Sequence, residues 1–97
     1  MNYYLEEMKS NLRRLMYEEQ EMTRRDYEAV EEMRGAVKAI LENVEDEVSK
    51  MTRMSYTMQE SRIFYRSAEP LQAAISEKRR ELEEWEEICS ILNNLLR

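Results

Sequence analysis

Ser67-Ala68-Glu69-Pro70-Leu71 holds the only proline of the 97-residue chain, and its reading decides the fold. Proline has no amide donor and clashes with the preceding turn, so it suits the start of a helix and not its interior. The sequence on both sides has helical periodicity. Pro70 therefore divides the chain into a long N-terminal arm, residues 2–66, and a C-terminal helix, residues 70–96. Ser67 is placed to cap that helix, with Ala68, Glu69 and Pro70 in its first turn, where an acid favours the helix dipole.

Downstream, Leu71, Ile75, Leu82, Trp85, Cys89, Leu92 and Leu96 form one stripe, with Lys78 its polar member. Ile88, Ile91 and Leu95 broaden the stripe toward the C-terminus, which suits a helix packed on more than one neighbour. Upstream, Leu5, Met8, Leu12, Leu15 and Met22 fall at heptad-like steps interrupted at Glu19 and again at Asp26. Such a seam packs along another helix, and polar interruptions set register or partner choice. Ala36, Val37, Ala39, Ile40, Leu41, Val44 and Val48 make the most apolar segment and the expected centre of the core.

Two positions are candidates for a bend in the long arm. Gly35 lacks turn-forming neighbours, and a lone helical glycine costs only about 1 kcal/mol relative to alanine. Asn43 lies in a polar stretch that has neither glycine nor proline. The fold class is all-α: an elongated helical hairpin, or a three-helix bundle if the arm bends near 35 or 43, with coiled-coil-like packing. One glycine, one proline and 37% charged residues leave little material for turns or sheet. The whole chain reads as a single domain.

Several function classes find no residues to carry them. With no histidine, Cys89 has no base to activate it, and the Glu-x-x-His pairs of di-metal bundles cannot form. A single glycine excludes a phosphate-binding loop. The chain reads as non-enzymatic, with no metal or cofactor. A net charge of −6 argues against binding nucleic acid through its phosphates. Residues 1–34 and 67–97 each sum to −3 around a neutral middle. No apolar run has the length of a membrane span, and the acidic N-terminus has no signal-peptide pattern. The expected location is cytoplasmic, or secreted without a cleaved leader.

What remains is recognition. If the long arm stays straight it outruns the second helix, and Leu5, Met8, Leu12, Leu15 and Met22 wait for a helical protein partner or a second copy. Met51, Met54 and Met58 share one side and offer an adaptable apolar face, because methionine packs without demanding a fixed shape. Trp85, between Leu82 and Cys89, reads as core. An alternative function is that of an acidic phage-type inhibitor or regulator that occupies the basic groove of a nucleic-acid enzyme.

An acidic, leaderless, helical chain of this size with one tryptophan resembles the small helical proteins of type VII secretion. It is similar to the WXG100 family and to the helical partners of LXG toxins. The resemblance implies an antiparallel helical hairpin that binds a partner helix pair, this chain acting as a targeting partner of a secreted toxin. In those families a Tyr-x-x-x-Asp/Glu motif contributes to export. Tyr3, Tyr17, Tyr27, Tyr56 and Tyr65 each precede a glutamate by four residues, which the glutamate-rich composition also produces. The chain departs from the pattern where Trp85 is followed by Glu86 and Glu87 instead of a Trp-x-Gly turn, and no tyrosine follows Tyr65.

Overall fold

The computed structural model describes residues 3–18 and 21–97. The described residues form three α-helices and no strand: α1 (Tyr3–Tyr17), α2 (Arg24–Glu60) and α3 (Ala68–Leu95), with a 3-10 turn at Tyr65–Ser67 before α3. At 1.5 Å per residue the helices run about 22, 55 and 42 Å. The Cα envelope is correspondingly long, 61 × 21 × 16 Å. Helices α2 and α3 form an antiparallel hairpin, pinned by Arg34 on Asn93 near the base and Lys78 on Glu47 midway. Helix α1 lies against α3 beside the C-terminal part of that hairpin.

The long arm expected over residues 2–66 is divided, but at neither candidate bend, and the helix runs through Gly35 as the lack of turn-forming neighbours implied. Gly35 and Asn43 both lie inside the continuous α2, and a side chain at Gly35 would meet open space. The boundary falls between Tyr17 and Arg24 instead. Its physical cause is a capping box. The Thr23 hydroxyl accepts the Asp26 amide at 3.2 Å, and the Thr23 amide donates to the Asp26 carboxylate at 2.8 Å. Two amides at the start of α2 are thereby satisfied. Asp26 is a helix-start signal and not a polar seam position, whereas the interruption expected at Glu19 lies outside the described residues.

The second break lies close to its expected place. Helix α2 ends at Glu60, and Pro70 takes the third position of α3, where its missing amide would have had no intrahelical partner. Ser67 does not cap that helix. Its backbone is already helical, continuing the 3-10 turn, so its side chain makes no capping bond. Ser61 provides the turn bonds instead, its hydroxyl accepting from the amides of Ile63 at 3.2 Å and Phe64 at 3.3 Å.

The core is thickest at the base. Leu5 of α1, Val30 and Val37 of α2, and Ile88 and Leu92 of α3 form one buried cluster. Met8, Leu12, Met22, Leu41, Trp85, Cys89, Leu95 and Leu96 pack around it. The broad stripe expected on α3 meets α1 and α2 at this end. Toward the tip only two helices remain, and their interface thins to Val44, Ser55, Ala68 and Ile75.

Candidate functional site

The N-terminal seam is largely closed on the molecule itself. Leu5 is 0% exposed, and Met8, Leu12 and Met22 are half-buried against the base cluster; only Leu15, 40% exposed, faces solvent. The docking of α1 is reinforced by Lys9, a buried ammonium 2.8 Å from Glu6 and 2.9 Å from Glu87. Arg13 pairs with the same Glu87. Of the two expectations, a bend that closes the bundle or a stripe that waits for a partner, the first describes all of the stripe but Leu15, because the break before Arg24 lets α1 return to α3.

The methionines are spread differently. Met51 and Met58 are half-buried, while Met54 is 51% exposed on α2. Met51 borders a groove of about 270 Å³ with Ala74, Glu77, Lys78 and Glu81. Across the hairpin lies a second groove, of about 260 Å³, lined by Thr52, Ser55, Tyr56, Gln59, Gln72, Ile75, Ser76 and Arg79. Apart from Ile75 its lining side chains carry hydroxyl, amide or guanidinium groups. Ser55 is buried there and accepts from the Gln59 amide at 3.0 Å.

Trp85 packs against the base cluster, and its indole N–H is buried with no hydrogen-bond partner among the described residues. Cys89 is a half-buried member of the same packing. No three His, Cys, Asp or Glu side chains among the described residues are arranged to hold a metal ion. No helix of the described residues is long and apolar enough to cross a membrane.

Sequence order hides the distribution of charge. Residues 49–80, the tip half of the hairpin, carry seven basic and three acidic side chains, a formal +4. The remaining residues carry eight basic and eighteen acidic side chains, a formal −10. Chain thirds had averaged this out, because the basic segment straddles the turn and its two strands of charge meet only once the hairpin forms. Among the described residues, Arg53, Arg62, Arg66, Arg79 and Arg80 have no carboxylate within ion-pair distance. At the turn itself Ile63, Phe64 and Tyr65 are 81%, 55% and 51% exposed. Three adjacent apolar side chains beside a helix break were a signal available in the sequence, masked there by the surrounding helical periodicity.

Compared with family models, curated proteins and solved structures, the chain matches none.

Proposed function

We propose that the chain is a non-enzymatic helical module that binds another helical protein along the tip half of the α2–α3 hairpin. The observation that carries this reading is the exposed Met54 on a stretch of α2 where, among the described residues, the hairpin has two helices and no third beside it. Met51 and Met58, half-buried, stand three and four residues from Met54 along α2, and methionine adapts its shape to a partner surface at little cost. A helix laid there would complete for the tip half what α1 does at the base. In its named form the partner is a secreted toxin for which this chain acts as a targeting subunit; the antiparallel hairpin is the shape which the type VII secretion resemblance implies.

Photo-crosslinking from position 54 tests the reading, using a photoreactive residue there and another at position 15. Position 54 is expected to give a discrete protein adduct that still forms when irradiation is done at high salt, and Met54→Glu, set on an exposed site, to prevent the association without lowering the melting temperature. Adducts from position 15 alone would move the contact to α1 and overturn the proposal.

The acidic base half supports a second reading, an inhibitor that presents carboxylates to a basic groove. Binding of that kind weakens steeply with salt, so the effect on adduct yield of the salt present during irradiation separates the two.

A further inference from the structure

We propose that the turn Arg62-Ile63-Phe64-Tyr65-Arg66 inserts into the interfacial region of an anionic lipid bilayer and stands the rod upright on it. The turn joins the two long helices and so occupies one extreme of a molecule 61 Å long. Its three apolar side chains are more than half exposed, Ile63 most of all. Ordinary turns are polar, and adjacent apolar residues left in water at a protruding end are what an apolar medium would take up. Arginines bracket them on both sides. The Arg66 guanidinium lies 5.8 Å from the Tyr65 ring centre, and its Nε donates to the Tyr65 hydroxyl at 3.2 Å. This is the pairing of an amphipathic ring with a cation that suits the headgroup boundary.

Shape favours a bilayer over a protein. A rod with a Cα cross-section of 21 × 16 Å offers only a few hundred Å² at its end, below the ~800 Å² that a stable protein interface takes from each partner. A bilayer requires no complementary pocket and admits a small wedge. Glu60 and Glu69 also flank the turn, so the apolar side chains supply most of the affinity while Arg62 and Arg66 select an anionic surface. The long-range charge then sets the orientation. A half bearing +4 faces the anionic lipids, and a half bearing −10 is repelled from them.

Vesicle sedimentation tests this with phosphatidylcholine alone and with phosphatidylcholine containing phosphatidylserine. The full chain is expected to sediment with the mixed vesicles far better than with the neutral ones, and to be released by salt. Ile63→Ser with Phe64→Ser should weaken binding by about a hundredfold, given the transfer free energy of two large apolar side chains. Arg62→Gln with Arg66→Gln should weaken it roughly thirtyfold on mixed vesicles. Neither pair should change the melting temperature, because all four side chains are exposed. Brominated lipids supply a second readout. Native Trp85, far along α3 from the turn, should keep its fluorescence, and a tryptophan introduced as Phe64→Trp in a Trp85→Phe background should be quenched. Equal binding of wild type and the Ile63/Phe64 pair would overturn the proposal. So would quenching of Trp85, or tighter binding to polyglutamate or a single-stranded oligonucleotide than to the mixed vesicles.

Discussion

Trp85 occupies the seam position between Leu82 and Cys89, and the structure sets it against the base cluster. The spacing of apolar residues was sufficient to identify it as core. Its unpaired N–H was not legible, because hydrogen bonding depends on what the other helices bring near. The two properties separate experimentally. Trp85→Ala should cost about 3 kcal/mol or more through lost burial and the cavity left behind. Trp85→Phe should cost much less, because a smaller void is partly offset by removing a buried donor that has no acceptor. Denaturant melts of both variants measure the difference, and equal losses would mean that the indole ring is not packed as described. Lys9 shows the limit of residue-level reading from the other side. A lysine on a helix face is solvated by default, and nothing in its neighbours announces that Glu87, far along the chain, will bury it.

At the scale of elements, helix type was legible throughout and the break at Pro70 nearly so, whereas the break before Arg24 was not. Gly35 and Asn43 drew attention as residues with poor helix propensity, yet propensity is a weak prior beside the burial of Val30, Val37 and Val44 along one face. The boundary before Arg24 is decided by hydrogen bonds to two amides, for which Thr23 and Asp26 have the right spacing. The same contacts make the boundary sensitive to pH. Bonds from the Thr23 amide, and then from its hydroxyl, hold the Asp26 carboxyl below the ordinary carboxylate range. A depressed folded-state pKa means that the stabilisation is present in full above the unfolded value and is lost as pH falls through the folded one. Wild type should therefore melt higher than Asp26→Asn at pH 6, and the gap should narrow as pH is lowered from about 4. Thermal melts followed by circular dichroism check this. A gap that stays constant down to pH 2 would remove the carboxylate from the account of the cap.

On the scale of the whole molecule, one rod contains two constructions. A chain of this length packed as a sphere would have a radius of gyration of about 12.5 Å, whereas the Cα value is 17.9 Å. The excess arises because the 37-residue α2, about 55 Å long, sets the length of the hairpin, and α1 accompanies it at one end only. The apolar stripe of α3 anticipates this: Ile88, Ile91 and Leu95 broaden it at the base, while Ala74, Glu77 and Glu81 leave the tip half narrow. Whether a third helix would cover the base could not be read from α3 alone, because the same breadth suits a second chain. Stability should be graded along the axis accordingly, since amides exchange through openings whose free energy follows local apolar contact. In native-state hydrogen exchange, amides of residues 34–41 and 88–95 should be the slowest, opening only with the whole molecule. Those of residues 52–60 and 70–76, equally helical, should exchange earlier through fraying of the two-helix tip. Leu5→Ala removes a side chain that is 0% exposed. It should lower protection at the base by a cavity penalty of about 2–5 kcal/mol, and bring the two halves toward a common rate. Uniform protection along α2 in wild type would mean that the hairpin opens as one cooperative unit and that α1 adds nothing local, which would refute the division of the rod into a three-helix base and a two-helix tip.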